Sequence, residues 1–528
     1  MTPQPPSLEA AWKPRFNPWL IAMVVTMATF MEVLDSTIVN VALPHIAGNL
    51  SASYDESTWV LTSYLVSNAI VLPVSGWFSS IMGRKRFYMS CVLLFTVSSA
   101  LCGFAPSLGW LIFFRVLQGM GGGGLMPSEQ AILVDTFPPQ KRGMAFAVAG
   151  IAMIMAPIIG PTLGGYITDN FTWRWAFYIN VPVGLISLFL TSQMVEDPPH
   201  IKKASLREGF RIDYVGLGLI ALGLGSLQVV LDKGQIEDWF SSPFILAFSV
   251  ISALALITAI VWEWKQKFPV VDLKLFKDHN FASANIMIFL IGFTLYGSTM
   301  LIHMMLQTLM GYTAMQAGLV ISPGGAVVLI LLPIVGKLTG RIQPKWLIII
   351  GFSMLGLALL HMTGFNLQMD YYHVAVARCF QAGGMAFLFI PINNMAYALL
   401  PKEKNNNASA ILNLSRNLGG SVGIATVTTL LAWRSQFHQS VMVGRLTPYD
   451  PGYNLWLQKA SQGLKYLGIN PSMADGTSLG LLFRETYRQA MILSYIDAFY
   501  VVGLAALVMV PLALLLRRIP LAAQMGGH

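Results

Sequence analysis

Charged side chains are scarce in this chain. Asp, Glu, Lys and Arg make up 11% of the 528 residues, whereas an ordinary soluble domain carries ~25%. Hydrophobic residues reach 55%. This composition excludes an ordinary soluble globular protein and predicts a chain that lives in a lipid bilayer.

Cysteines and enzyme motifs are also few or absent. The three cysteines, Cys91, Cys102 and Cys379, all lie in apolar runs, so they form no disulfide framework and no zinc-ligand spacing. The chain lacks an H-E-x-x-H motif, a nucleophile elbow and a Walker loop. We therefore expect no metal and no cofactor, and a polytopic membrane enzyme is a remote alternative.

Long apolar runs fill most of the sequence. A helix needs ~20 residues to cross a bilayer, and fourteen runs approach that length. The sequence therefore predicts an all-α polytopic membrane protein with 14 transmembrane helices. Their approximate limits are 19–41, 58–80, 87–106, 110–134, 144–168, 176–195, 213–231, 243–262, 281–306, 317–337, 346–365, 371–399, 408–432 and 489–516.

The positions of Lys and Arg predict the orientation, because basic residues near span ends stay on the cytoplasmic side. With the N-terminus inside, the basic residues of the loops fall mainly on the inner side, and the short outer loops carry only Arg174 and Lys233. Both termini are therefore expected in the cytoplasm. The formal net charge of +9 follows from this topology and requires no nucleic-acid partner.

An internal repeat predicts two related halves. The segments "RVLQGMGGGGLMP" at 115–127 and "RCFQAGGMAFLFIP" at 378–391 each contain an Arg, a Gln three residues later, glycines and a proline. With 213–231 and 243–262 set aside as an inserted pair, each segment lies on the fourth helix of a six-helix bundle. Two such halves are the plan of a transporter, with its sites near mid-depth between them.

The expected organisation follows from these two halves. A six-helix bundle and an inserted helix pair with cytoplasmic linkers precede a second six-helix bundle, which includes a long external loop at 433–488. The predicted boundaries are 1–18 for the cytoplasmic N-terminus, 19–195 for the first bundle, 196–268 for the inserted pair, 269–518 for the second bundle and 519–528 for the cytoplasmic tail.

Five motifs in order carry a family resemblance: "LDSTIVNVALP" at 34–44, "GWFSSIMGRKR" at 76–86, "RVLQGMGGG" at 115–123, "APIIGPTLGG" at 156–165 and "WRWAFYINVP" at 173–182. The chain resembles the major facilitator superfamily, and within it the fourteen-span drug:proton antiporters of the EmrB and QacA type. The resemblance implies the major facilitator fold and an antiporter in the bacterial inner membrane, driven by the proton gradient. It also implies alternating access and the export of hydrophobic or amphipathic drugs, including antibiotics. Because fold does not fix substrate, an exporter of one metabolite or siderophore is the alternative.

Three carboxylates within predicted spans are candidates for proton coupling. An ionised side chain at the bilayer centre costs ~2.5–3.5 kcal/mol on the insertion scale, so such residues usually mark ion paths. Glu32 and Asp35 share one helix face, and Glu129 follows a predicted kink at Pro127. We predict that all three exchange protons beside Arg115. The alternatives are permanent pairing for Glu32 and Asp35 and a kink-stabilising role for Glu129.

The inner loop between the second and third spans is the predicted gate. Its two glycines should allow close packing and a tight turn, and Arg84 should pair with Asp135 when the inner side is closed. The alternative is a plain positive-inside anchor. Ser80 stands where the family usually has Asp, which puts part of the usual charge network in doubt. The predicted gating residues are Gly76, Gly83, Arg84, Lys85, Arg86 and Asp135.

The fifth span is expected to be bent and tightly packed. Pro157 and Pro161 each remove a backbone donor, while Gly160 and Gly164 have small-xxx-small spacing, followed by Gly165. The resemblance implies that this motif limits leak and favours exchange; simple packing is the alternative.

The predicted substrate cavity combines aromatic, methionine and uncharged polar side chains, which suit varied hydrophobic ligands. We interpret His303 as a hydrogen-bonded helix residue rather than a proton carrier. The predicted lining is Tyr64, Asn68, Met153, Tyr296, His303, Asn393, Asn394 and Asn413.

The predicted external loop is too long to be an ordinary connection. Its segment "YNLWLQKASQGLKYLG" at 453–468 predicts a short amphipathic helix. The resemblance implies that this loop could dock a periplasmic membrane-fusion adaptor, which works with an outer-membrane channel. The alternative is a lid or a membrane-surface helix without a partner.

Overall fold

The computed structural model describes residues 14–197, 213–266, 269–339, 341–398, 400–401, 404–514 and 516. Helices make up nearly all of these residues, which agrees with the predicted all-α class. The first half contains α1 (Pro18–Asn49), α2 (Tyr54–Ser57), α3 (Trp59–Met82), α4 (Arg84–Phe104), α5 (Leu108–Gly122), α6 (Leu125–Thr136), α7 (Pro139–Asn170), α8 (Trp175–Tyr178) and α9 (Asn180–Met194). The inserted pair and the second half contain α10 (Tyr214–Lys233), α11 (Pro243–Lys265), α12 (His279–Thr308), α13 (Ala314–Leu338), α14 (Pro344–His361), α15 (Tyr371–Tyr397), α16 (Asn405–Val443), α17 (Pro451–Tyr466) and α18 (Pro471–Leu514).

Eleven helices among the described residues are long and apolar enough to cross a membrane, or twelve if the bent α7 counts as one span. The chain is therefore a multi-pass membrane protein, while the count of fourteen spans stays a prediction. Two predicted spans fall outside the eleven to twelve. One is divided into the short helices α5 and α6, and the other is α16, whose first turns carry Asn and Arg side chains.

The fourth predicted span breaks earlier than its sequence suggested. We expected a kink at Pro127, but α5 ends at Gly122 and α6 begins at Leu125, so the break lies at Gly123 and Gly124. Pro127 instead lies in the first turn of α6, where a missing backbone donor costs little. Built Cβ atoms on these two glycines would collide with α3 and α4, respectively. Close packing against these helices therefore requires glycine at the break.

The segment 433–488, predicted as a loop, is largely helical. Helix α16 continues to Val443, α17 follows, and α18 begins at Pro471 rather than near residue 489. The predicted amphipathic helix at 453–468 corresponds to α17. At 1.5 Å per residue, α16 with 39 residues and α18 with 44 residues are about 58 Å and about 66 Å long. Both exceed the ~30 Å apolar core of a bilayer, so their ends must extend well beyond it.

The two halves touch at the end of the molecule predicted to face the cytoplasm. Ser409 donates to the Pro127 carbonyl over 2.8 Å, and Asn406 donates to Ser79 over 2.8 Å. A Cβ on Gly143 of α7 would lie 3.0 Å from the Gly336 carbonyl of α13. These contacts across the half boundary describe a state that is closed at this end.

Candidate functional site

A network of polar side chains inside the first half surrounds Asp35. Its carboxylate accepts hydrogen bonds from Arg115 Nη1 at 2.6 Å, Gln118 Nε2 at 2.9 Å and Asn180 Nδ2 at 2.7 Å. Both Asp35 and Arg115 are fully buried. Because the four residues come from α1, α5 and α9, one carboxylate ties three helices together.

The Arg115 guanidinium has further partners that fix its position. Nε donates to the Val60 carbonyl at 3.0 Å, and Nη1 also donates to Gln118 Oε1 at 2.8 Å. The guanidinium carbon lies 4.2 Å from the centre of the Tyr64 ring, a favourable cation–π distance. A buried ion pair is costly to break, at about 3–5 kcal/mol when one partner is removed.

Glu32 lies one turn before Asp35 on α1 and has fewer partners. Asn68 Nδ2 donates to Glu32 Oε1 at 3.0 Å. Glu32 Oε2 is buried without a hydrogen-bond partner among the described residues. A buried carboxylate oxygen without a donor costs free energy, and a proton on that oxygen removes most of the cost. Proton exchange at Glu32 stays a prediction, and the unpartnered Oε2 atom is the observation that favours it.

Glu129 completes a group of three carboxyl side chains around α1. It lies on α6, is almost fully buried, and accepts a hydrogen bond from Thr26 of α1 at 2.6 Å. Arg416, a buried cation of α16 in the second half, lies within electrostatic range of Glu32 and Glu129. A cation of the second half therefore interacts electrostatically with carboxyl groups of the first half.

The glycine and proline motif of α7 packs against α1 just beyond Asp35. A Cβ on Gly160 would collide with Thr37, and one on Gly164 would lie 3.2 Å from the Ile38 Cα atom, whereas Gly165 has open space. Helix α7 bends by 43° between Pro157 and Thr162. The bend and the close contact link the shape of α7 to the helix that carries Asp35.

The two charged residues of the predicted gate lie together at the end of the molecule that is expected to face the cytoplasm. The side chains of Arg84 and Asp135 are buried and in contact as an ion pair, and Arg84 Nη1 also donates to the Ala131 carbonyl at 3.2 Å. Gly83 has a φ of 87°, a conformation that favours glycine. A Cβ on Gly76 would lie 2.5 Å from the Asn407 side chain of the other half, so α3 approaches α16 closely there.

The remaining inner-loop residues lie apart from this ion pair. Lys85 Nζ donates to the Ser192 carbonyl at 2.6 Å, and its backbone N–H donates to Asp197 at 2.8 Å. Arg86 is exposed. Ser80 donates to the Trp77 carbonyl at 2.7 Å, within its own helix. The Ser80 hydroxyl is thus used locally, and Arg84 and Asp135 hold the charge interaction.

The predicted cavity residues divide into four groups. Tyr64 and Asn68 belong to the carboxylate network, while Asn413 donates to Gln130 of the other half at 2.9 Å and so joins the closed inner contact. Tyr296 and His303 are partly exposed on one face of α12. Met153 is buried, Asn393 donates to the Phe389 carbonyl of its own helix, and Asn394 is partly exposed. Their role in a substrate cavity remains a prediction.

The family model described as the Major Facilitator Superfamily matches residues 25–424. The chain is 36% identical over 482 residues to "Multidrug export protein EmrB" of Escherichia coli (strain K12), covering 91% of this chain and 92% of that protein. The chain belongs to the major facilitator superfamily, in its EmrB-type branch. It is also 35% identical over 509 residues to "Fatty acid resistance protein FarB" of Neisseria gonorrhoeae, covering 96% and 97% of the two chains. The human organic anion transporter MFSD10 shares the fold, with a TM-score of 0.57 at 12% identity and coverage of 95% and 100%.

Membership of this superfamily confirms the fold read from the five motifs, and the family consists of transporters rather than enzymes. The structure adds partners that the sequence analysis did not name, namely Gln118, Asn180 and Thr26. Gln118 and Asn180 lie inside the quoted motifs "RVLQGMGGG" and "WRWAFYINVP". An uncharged amide side chain within a span could therefore have identified them as partners of a buried charge. Nothing in the sequence pointed from Thr26 to Glu129, which is 103 residues away.

The ion pair at the inner end predicts a charge-swap result. Arg84→Asp should cripple transport, because it places two carboxylates side by side in a buried contact. Combining it with Asp135→Arg should restore part of the activity, since the pair is rebuilt in reverse. Transport in everted membrane vesicles measures both, with Arg86→Asp as an exposed control that should remain close to wild type. No recovery in a normally inserted double variant would leave Arg84 as a plain anchor.

Proposed function

We propose that this major facilitator exports hydrophobic and amphipathic small molecules across the bacterial inner membrane in exchange for protons. The observation that supports this function best is the cluster of three carboxyl groups around α1, close to the contact between the halves, with Asp35 and Glu129 buried and Glu32 half-buried. Intramembrane carboxyl groups that face a partner or a cavity commonly mark ion paths. The EmrB-type relatives are named as multidrug export proteins. The proton gradient supplies the energy for transport, and the mechanism uses no cofactor.

Asp35 acts as the carboxyl group whose protonation is coupled to helix movement. In the closed state its charge is matched by Arg115, Gln118 and Asn180. A proton on Asp35 removes the charge that holds Arg115, so the contact between α1 and α5 weakens. Glu32 and Glu129 lie nearer the boundary between the halves and exchange protons with Asp35 and with the aqueous sides.

Alternating access follows from contacts that can exist in only one state. The Arg84–Asp135 pair and the hydrogen bonds from Ser409 and Asn413 hold the inner end closed, and their loss opens it. The bent α7 transmits this change, because it touches α1 beyond Asp35 and also contacts α13 of the other half. With both termini in the cytoplasm, as the loop charges predict, the closed end faces inward.

Proteoliposomes with an imposed pH gradient test the coupling. Asp35→Asn should abolish gradient-driven transport of a fluorescent amphipathic cation, because the amide cannot release a proton. Equilibrium exchange without a gradient should remain measurable. Glu32→Gln should slow active transport without abolishing it, since Asp35 still titrates.

Glu237→Gln is the matched control, because Glu237 is an exposed carboxylate of the connection after α10. It should transport at the wild-type rate. Active transport by Asp35→Asn at the wild-type rate would remove Asp35 from the mechanism. Loss of exchange together with active transport would assign Asp35 a structural role instead.

We also propose that the outer hairpin binds a periplasmic adaptor. This hairpin comprises residues 433–488, namely the outer ends of α16 and α18 with α17 between them. Arg434 Nε and His438 Nε2 hold Asp497 at 2.5 Å and 2.7 Å at its base. Near its tip, Tyr466 and Leu467 are 92% and 81% exposed. Large apolar side chains exposed on a projecting element favour an interaction surface, and an adaptor would connect export to an outer-membrane channel.

Comparing cells with purified protein tests the adaptor. The double variant Tyr466→Ser with Leu467→Ser should lose drug resistance in a double-membraned bacterial host, yet transport normally in proteoliposomes, where no adaptor is present. Tyr214→Ser, an exposed tyrosine at the opposite end of the molecule, should keep both activities. Equal loss in cells and proteoliposomes, or no loss in either, would rule out docking through this surface.

A further inference from the structure

Arg378 is a buried cation that the transport cycle above does not use. It lies on α15, is only 9% exposed, and begins the second copy of the internal repeat. Arg378 Nη1 donates to Gln381 Oε1 at 2.7 Å, as Arg115 Nη1 donates to Gln118 Oε1 at 2.8 Å in the first half. The two halves therefore hold equivalent Arg–Gln pairs.

The next residue in each network differs. In the first half the glutamine amide donates to Asp35 of α1. In the second half the Gln381 amide donates to the hydroxyl of Ser298 on α12. Ser298 thus takes the place of Asp35, and in this network of the second half no carboxylate of the described residues pairs with the arginine.

The Nε and Nη2 edge of Arg378 is only weakly used. Nη2 donates to the Thr299 hydroxyl at a long 3.3 Å, and Nε, which is buried, has no hydrogen-bond partner in the described part of the chain. Among the described residues, no Asp or Glu forms a salt bridge with Arg378. Buried charges are normally paired, so a guanidinium with an unpartnered Nε and a weakly bonded Nη2 is suited to an anion from outside the chain.

The surroundings of this edge suit an amphipathic molecule. Tyr296, Thr299 and His303 are partly exposed at helical spacing on α12 and form one stripe. The His303 ring is bonded to the Thr299 carbonyl at 2.9 Å, and Arg378 lies within electrostatic range of it. On the facing helix α13, a Cβ on Gly324 would lie 3.1 Å from Arg378 Cγ, so glycine lets that helix approach the arginine.

We propose that Arg378 and Thr299 form a binding subsite for the carboxylate of an amphipathic anionic substrate, whose apolar body lies against the rings of Tyr296 and His303 on α12. The Nε and Nη2 edge of an arginine matches a carboxylate in a bidentate arrangement. The subsite rests on the proposed export function and adds a substrate class to it. It also explains why the repeat keeps its arginine and glutamine where the carboxylate is replaced by serine.

Equilibrium binding to the purified full-length protein, without a gradient, tests the subsite. The probes are decanoate and decyltrimethylammonium, which share a chain length and differ in the sign of the headgroup. In Arg378→Gln the preference for decanoate over the cation should fall about tenfold to a hundredfold, because charged hydrogen bonds are lost. Arg445→Gln, at an exposed arginine, should keep the wild-type preference.

Ser298→Asp is the decisive second variant, because it leaves Arg378 in place. It rebuilds the arrangement of the first half, so the new carboxylate should neutralise Arg378 and lower the decanoate preference as strongly as Arg378→Gln does. A preference that is unchanged in both folded variants would overturn the proposal. So would a site for inorganic anions only, seen as loss of chloride binding in both variants with the decanoate preference intact.

The outcome is separable from that of the proposed function. Proton-driven transport of a cationic drug by the wild-type protein tests export alone. Its absence, with an Arg378-dependent preference for decanoate, would overturn the exporter and leave the subsite standing. Proton-driven drug transport without an Arg378-dependent preference for decanoate would support the exporter and overturn the subsite.

Discussion

The requirement that a buried carboxylate have partners organises the first half of this transporter. Asp35 lies in a membrane-spanning bundle without contact to solvent, and it is stable there because α5 and α9 bring three donors to it. All three partners donate, which suits an ionised carboxylate. We expect a proton on Asp35 to weaken these contacts, and this coupling stays a prediction.

The other motifs extend this constraint toward the ends of the molecule. Helix α7 lies against α1 beyond Asp35 and reaches α13 in the other half, while Arg416 brings a positive charge from the second half toward Glu32 and Glu129. At the inner end, Arg84 and Asp135 form a second buried ion pair. Buried ion pairs therefore lie at two depths of the molecule, and close helix contacts at glycines lie between them.

Much of this arrangement could be predicted from sequence, because charged residues within spans are rare and are expected to pair with each other. Asp35, Arg115, Arg84 and Asp135 were all recognisable in that way. Contacts of uncharged polar groups could not be predicted. Thr26 and Glu129, for example, are far apart in the chain, and no motif relates them. The break at Gly123 and Gly124 was assigned to Pro127 because proline is the stronger local signal, whereas helix packing placed the break at the glycines. The helical character of 433–488 was missed for a related reason: a mixed composition at the membrane edge predicts a loop, but α17 packing on α18 supports helices there.

The two halves share a repeat and have diverged in charge, with Asp35 in one matched by Ser298 in the other. That divergence places the candidate proton-exchanging carboxyl groups in the first half, so we expect drug binding to be coupled to proton release from them. Proton release on drug binding measures this most directly, with purified protein, a pH-sensitive dye and no membrane gradient. The account predicts that an amphipathic cation releases protons from the wild-type protein and none from Asp35→Asn, although both bind the drug. Drug binding by the wild-type protein without any proton release would contradict it.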